Sequence, residues 1–254
     1  MTKIYCFSGT GNTLWSATKI AQTLGSGGEL FNIACEARKP SVLIEAERVV
    51  FLFPSYAYQM PQLVRRFIDK AEIRAAWTGA VVTYGSDQGG ALAEASRALR
   101  RKSIRLSFAG RIPSVENFIP LFGSPSAKKI EERIAEQKNA TERIAQSILN
   151  EETNSIWTFR PLSALVSFLF RSAKGRMAQA YKLGAECNGC ALCVRLCPAR
   201  AIRLEDGKPV FSAGCEQCQA CLTWCPRRAI SFARLKAATP RYHHPEIELS
   251  QMLG

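Results

Sequence analysis

Eight of the ten cysteines fall between residues 187 and 225, in two runs of one form. Cys187, Cys190, Cys193 and Cys197 make the first, closed by Pro198; Cys215, Cys218, Cys221 and Cys225 make the second, closed by Pro226. Each reads C-x2-C-x2-C-x3-C-P, so three thiolates share one tight loop that can wrap three corners of an iron–sulfur cube. In paired runs of this kind the fourth cysteine leaves its loop and ligates the other cluster. Two [4Fe–4S] clusters are therefore expected, one on Cys187, Cys190, Cys193 and Cys225, the other on Cys215, Cys218, Cys221 and Cys197. Small residues such as Gly189 and Ala220 keep the loops compact, where backbone N–H groups can face the anionic cluster. Structural zinc competes for CxxC pairs, but zinc modules commonly use two separated pairs rather than triplets. A disulfide framework is the weaker account in a chain expected to stay in the reducing cytoplasm.

A second constellation lies near the start. Ser8-Gly9-Thr10-Gly11-Asn12-Thr13 follows an apolar strand and opens a helix, gathering backbone N–H groups and three hydroxyls at a helix N-terminus. That arrangement suits a phosphate. The run has neither the Gly-Lys-Ser/Thr ending of a triphosphate loop nor the G-x-G-x-x-G of a dinucleotide fold. A hydroxyl-rich cradle without a fixed lysine suits a monoester phosphate carried by a small cofactor.

These groups need a frame. The first half alternates apolar runs with amphipathic ones, as strands feeding crossover helices around a parallel sheet do. Strands are predicted at Lys3–Phe7, Leu30–Ala34, Val49–Pro54, Gly79–Tyr84 and Ile104–Gly110, and helices at Thr13–Leu24, Gln59–Ala71, Gly89–Lys102 and Ala127–Leu149. At 254 residues the chain suits one medium domain and one small one. The expected division is 1–150 for the α/β domain, 151–181 for a helical connector, 182–235 for a small α+β cluster domain and 236–254 for a tail. Within the connector, Leu162–Phe170 is apolar between Arg160 and Arg171, far short of the roughly 20 residues that span a bilayer. It reads as an amphipathic helix packed between the domains, or else as a membrane-surface or partner-docking helix. Inside the small domain, Cys187–Leu204 recurs as Cys215–Phe232 with every cysteine displaced by 28 positions. Ile202, Leu204, Ile230 and Phe232 fit strands that cover the clusters. The tail, with Pro240, His243, His244 and Pro245, reads as surface wrapping or disorder.

The cysteine repeat resembles the two-cluster bacterial ferredoxins, over about Lys182–Arg234. Ser8, Thr10, Gly11 and Thr13 resemble the FMN phosphate loop of the flavodoxins, [S/T]-x-[S/T]-G-x-[S/T]. That resemblance implies a doubly wound five-stranded parallel sheet with its ligand at the carboxyl ends of the strands. Material for the flavin ring stands where the resemblance requires it. Pro54-Ser55-Tyr56-Ala57-Tyr58 follows the third strand, and Thr83-Tyr84-Gly85 with Gly89 and Gly90 follows the fourth. Tyr56 or Tyr58 would flank one ring face, Tyr84 would approach it, and the glycines would let backbone N–H groups come near. Asn117, after the fifth strand, could reach the ring edge. The loop after the third strand has no Trp, and the domain carries a net charge of +7 where flavodoxins are acidic. Cys6 and Cys35, away from the repeat, read as small core residues.

Taken in order, the chain resembles the flavodoxin/ferredoxin fusion proteins of anaerobes, over about residues 1–235. That resemblance implies an electron-transfer protein passing single electrons between two [4Fe–4S] clusters and FMN, joining a soluble low-potential donor to an acceptor protein. An FMN-dependent reductase of a quinone, nitro or azo compound is the enzymic alternative, and a docking module for a larger redox complex is another. No acid, base or nucleophile constellation accompanies the cofactor motifs, and the two histidines sit together in the tail, so no catalytic residue is expected. The formal charge of +13 falls to about +7 once anionic clusters and a flavin phosphate are counted. A docking face for an acidic redox partner and plain solubility are both compatible with it. No nucleic-acid reading motif appears, and the N-terminus lacks the apolar run of a secretory signal.

Overall fold

The computed structural model describes residues 1–155, 161–232, 235 and 239–253, with the side chains of 161–164 excluded. Arg160, Arg234 and Lys236, which bound segments expected above, lie outside the described residues, as does the side chain of Leu162.

Five parallel strands form the central sheet: β1 (Thr2–Cys6), β2 (Gly28–Asn32), β3 (Leu43–Pro54), β4 (Glu72–Tyr84) and β5 (Phe108–Pro113). Their order is β2-β1-β3-β4-β5, the flavodoxin-like doubly wound order with its switch point between β1 and β3. The register pairs Cys6 with Leu52, Pro54 with Thr83 and Tyr84 with Pro113. The loops that follow β1, β3, β4 and β5 therefore meet along one edge.

Val49–Phe53 is buried throughout because both faces of the sheet are covered. Tyr5, Phe7, Val49, Phe51, Phe53, Ala80 and Val82 point to one face and pack with α3 (Gln62–Lys70) and α4 (Ala91–Arg100). Ile4, Cys6, Val50, Leu52 and Val81 point to the other and pack with α1 (Asn12–Thr23) and α6 (Ala127–Leu149). Cys6 is a core residue, as expected. Burying side chains such as Phe51 and Phe67 contributes about 1.5–3 kcal/mol each. Short helices α2 (Ile33–Glu36) and α5 (Ile119–Phe122) interrupt the connections.

Three boundaries differ from the sequence reading, each for a local reason. Ile33 and Ala34 start α2 rather than ending β2, because the Asn32 side chain accepts from Ala34 N–H as an N-cap. Ile104–Leu106 precedes β5: Ser103 is left-handed at φ 60° and Ile104 N–H returns to Leu99 O, finishing α4. β3 and β4 begin earlier than predicted and pair from Leu43 with Glu72 onward, in a half-buried alternation outside the apolar runs.

α7 (Pro161–Met177) leads into the cysteine-rich region. There β6 (Tyr181–Leu183) pairs antiparallel with β9 (Ile230–Phe232), and β7 (Ile202–Glu205) with β8 (Lys208–Phe211). α8 (Leu192–Leu196) and α9 (Ala220–Thr223) each start within a cysteine triplet, and α10 (Leu249–Leu253) lies in the tail. The sequence repeat is also a backbone repeat. Left-handed residues recur 28 positions apart, at Gly189 and Gln217, Ala191 and Gln219, and Arg200 and Arg228. Ile202, Ile230 and Phe232 are buried, whereas Leu204 is exposed.

The cysteine-rich region has its own core around Tyr181, Ile202, Leu222, Ile230 and Phe232. Leu192, Leu196, Cys218, Ala220 and Trp224, with Ile247 from the tail, belong instead to the cluster that contains Phe7, Phe51 and Phe53. The sheet and the repeat thus share apolar packing. Among the described residues no helix is long and apolar enough to cross a membrane.

Candidate functional site

The eight cysteines separate into two groups. Cys187, Cys190, Cys193 and Cys225 line one cavity together with Cys221, Leu192, Leu196 and Ile230. Cys190 is exposed and the other three of that quartet are half-buried. Cys197, Cys218 and Cys221 are buried beside half-buried Cys215, and the charges of Cys197 and Cys215 both act on Cys218 and Cys221. Each group combines three thiols of one run with the fourth of the other.

Among the described residues, no three His, Cys, Asp or Glu side chains gather tightly enough to hold a single ion. A tetrahedral zinc ion needs every sulfur about 2.3 Å from one point, whereas a cube takes its thiolates at separate corners. Ala201 N–H donates to Cys197 Sγ (3.2 Å) and Gln217 N–H to Cys215 Sγ (3.3 Å), the backbone contacts that stabilise cluster sulfur. Burial pushes the Cys218 and Cys221 thiols well above their ordinary range, and the Cys193 thiol up to about 11. Ligation there requires displacing protons with metal charge. These thiols fit the clusters that their spacing implies.

The second triplet is anchored by a residue the sequence reading passed over. Glu216, between Cys215 and Cys218, is 3% exposed. Its carboxylate accepts from Gln62 N–H (3.2 Å) at the start of α3, from Arg66 (3.2 Å) and from buried Lys174 (3.1 Å) on α7. The matching position in the first triplet is Asn188, which is exposed. An acidic residue between two closely spaced cysteines was the available signal, because it needs cationic partners when buried.

Gly11, left-handed at φ 95°, lies within the Ser8–Thr13 run and caps α1, which starts at Asn12. Thr10, Asn12 and Thr13 are buried. Gly11 N–H donates to Ser8 Oγ (3.2 Å), but Asn12 and Thr13 N–H have no acceptor among the described residues. Buried backbone donors without acceptors are rare, and at a helix N-terminus they are what an anion satisfies. The turn therefore fits a phosphate.

Its surroundings come from three parts of the chain. Thr13 and Thr83 hydroxyls bond at 2.7 Å, joining the turn to the end of β4. Asn12 Nδ2 donates to Val115 O (3.2 Å), and the Asn117 amide bonds Thr10 Oγ1. Asn117 thus ties the loop after β5 to the phosphate turn, a different use from the ring-edge contact expected.

The tail supplies the cover. His244 N–H donates to Thr10 O (2.9 Å), Tyr242 OH to Asn12 Oδ1 (2.8 Å), and Ile247 packs against Gly11. The fully buried His244 ring stacks on Trp15 at 4.9 Å, and burial lowers its pKa to about 4. His243 stacks on Trp224 at 4.2 Å. Tyr242, His244 and Ile247 wrap over the turn, and Tyr242 and Ile247 were the apolar signals for it.

The loops expected at the flavin ring pack against one another. Ser55 N–H donates to Thr83 O and Gly90 N–H to Tyr58 O, both at 2.8 Å. A Cβ at Gly89 would overlap Tyr58, and one at Gly85 would overlap Glu116. These two glycines are required by loop packing, and Gly90 N–H is already engaged. Pro54, Ser55, Ala57, Tyr58 and Tyr84 are half-buried along the same edge. Tyr56 sets its ring edge-on to Phe7 at 6.2 Å, and burial holds its phenol firmly protonated, with Cys218 adding to the effect. α7 covers this edge through polar residues: Ser167 donates to Ala57 O (3.0 Å), and Arg171 to Gln59 Oε1 (2.7 Å) and Glu94 (3.0 Å). Its apolar Leu165, Phe168 and Leu169 face outward, at 55–65% exposure. Among the described side chains of this helix, polar Ser167 and Lys174 are buried while apolar Leu165, Phe168 and Leu169 are exposed.

Fold and site together define a flavodoxin-like α/β sheet bearing a phosphate-type turn, packed against a duplicated cysteine-rich α+β region. No family model matches the chain, and no curated protein sequence is similar to it. Among solved structures, a flavone reductase is similar over 87% of this chain and 86% of its own, at 12% identity and a TM-score of 0.41. An FMN-dependent NADH-azoreductase from Bacillus anthracis, solved with FMN, matches 57% of this chain and 100% of its own, at 9% identity and a TM-score of 0.36. A Streptococcus pneumonia flavodoxin matches 56% of this chain and 98% of its own, at 14% identity and a TM-score of 0.33.

Proposed function

We propose that this chain is a fused electron relay that holds two [4Fe–4S] clusters and FMN and moves single electrons between them, joining a low-potential donor to an acceptor protein. The observation that carries the reading is the meeting of its two cofactor motifs. The Cys218 loop lies on the Ser8–Thr13 turn, and Trp224 Nε1 donates to Gly9 O (3.2 Å). Cys187, Cys190, Cys193 and Cys225 would hold one cluster, and Cys197, Cys215, Cys218 and Cys221 the other. The turn's N–H groups would hold the flavin phosphate. FMN would supply the exchange between one- and two-electron chemistry.

Protein reconstituted anaerobically is expected to contain about eight iron atoms and one FMN. Iron near zero with two bound zinc ions would refute the relay. Turnover with a quinone, nitro or azo compound alone, abolished by removing FMN, would move the reading to a small-molecule reductase.

The outward apolar face of α7 supports a second, compatible reading, that the relay delivers its electrons while docked to a larger redox complex. Making Leu165, Phe168 and Leu169 polar should then abolish co-purification with that complex and leave iron and FMN content unchanged.

A further inference from the structure

On the relay reading, we infer that the two clusters are inequivalent by construction: Cys197, Cys215, Cys218 and Cys221 hold the inner centre, adjoining the flavin site, and Cys187, Cys190, Cys193 and Cys225 hold the outer centre, through which electrons enter or leave.

Gly9 is the contact point. A Cβ there would overlap the Cys218 carbonyl oxygen and come within 3.0 Å of both Cys218 Cβ and the Tyr56 hydroxyl. The missing side chain lets a ligand loop of the inner centre touch the turn that fits the cofactor phosphate. Tyr56, at the end of β3 where the ring is expected, lies at the same junction. Glu216 locks the inner loop from the other side, through α3 and α7.

Exposure separates the quartets in the same direction. Cys197, Cys218 and Cys221 are each at most 9% exposed, whereas Cys190 lies open to solvent. Cys221 also lines the cavity of the outer quartet, so the centres adjoin. The order is therefore solvent, outer cluster, inner cluster, then Gly9 and Tyr56. Each transfer moves one electron: an external one-electron donor protein is oxidised as the outer cluster is reduced, and no bond is made or broken.

The test uses the full wild-type chain after anaerobic reconstitution. Chelator should remove iron in two phases, about four atoms each. Alkylation after the fast phase, read by peptide mass, should label Cys187, Cys190, Cys193 and Cys225 and spare Cys197, Cys215, Cys218 and Cys221. A neighbouring cluster with its thiolates is anionic and disfavours reduction of a flavin beside it. The flavin midpoint should therefore stay near its starting value through the fast phase and rise when the slow iron leaves. Early labelling of Cys218 or Cys221, release in one phase, or a midpoint that moves with the fast phase would overturn the assignment while leaving the relay intact. Absence of iron or FMN at the outset would refute the relay, and this ordering with it. Gly9→Ala keeps every ligand and should leave the iron count unchanged while making Cys218 alkylate earlier; unchanged protection would contradict the role given to Gly9.

Discussion

The two halves of the cysteine repeat share a cysteine spacing and a backbone but not an environment. Each has left-handed residues at the same three offsets and a short helix starting inside its triplet. Yet the first half turns Asn188 and Cys190 outward, while the second buries Glu216 and Cys218 against the sheet. The residues between the cysteines make the difference: where the first half has Asn188, Leu192 and Leu196, the second has Glu216, Ala220 and Trp224. A duplicated motif has become directional by changing what lies between its cysteines.

The largest test of that asymmetry is Glu216. Replacing it with Ala leaves buried Lys174 without its partner, and full-chain denaturation should show a loss of about 3–5 kcal/mol. Asn188→Ala, at the matching exposed position, should stay within about 0.5 kcal/mol. Equal losses would mean that the halves are not distinguished by this anchor.

His244 gives the next effect, because the tail closes over the second half through the His243–Trp224 stack. Burial, first of its causes, lowers the His244 pKa from 6.5 to about 4, so between those values the unfolded chain binds a proton that the folded chain refuses. Its contribution to stability is complete above pH 6.5 and falls as pH drops toward 4, by about 2–3 kcal/mol. Denaturation from pH 4 to 8 should show this slope in the wild type and a flatter one in His244→Phe.

Gly189→Ala should cost less, about 1–2 kcal/mol, because φ is +71° and a Cβ would sit 2.9 Å from Gly207 O. The second half already carries Gln217 at that position, so the penalty belongs to the first half's tight hairpin contact as well as to the backbone angle. Smallest are Arg200→Gly and Arg228→Gly, exposed and left-handed at equivalent places. Each should stabilise by about 0.5 kcal/mol, the left-handed penalty relieved less the added freedom of glycine, measurable as a rise in denaturation midpoint.

Much of this was legible in the sequence because it is local. Val49–Phe53 announces a strand covered on both faces, and the cysteine spacing announces the two groups into which the thiols fall. What was not legible depends on distant partners. Glu216 has meaning only with Gln62, Arg66 and Lys174, and Gly9 only with Cys218. The α7 apolar run suggested a buried face, but Ser167, Arg171 and Lys174 found polar partners on the loop after β3, on Glu94 and on Glu216, leaving Leu165, Phe168 and Leu169 outside. Gly85 and Gly89 suggested room for a ring; their neighbours are Glu116 and Tyr58.

The cover over the phosphate turn also has a timetable. Residues 8–13 leave the ribosome early, yet Tyr242, His244 and Ile247 close over them from more than 200 positions downstream. At about 5–20 residues per second, the roughly 130 residues between the end of β5 and the tail take on the order of 6–26 s, so the sheet can be complete well before its cover exists. Until the tail is made the turn lacks this cover, so the cofactor proposed here would have fewer contacts to displace during synthesis than afterwards.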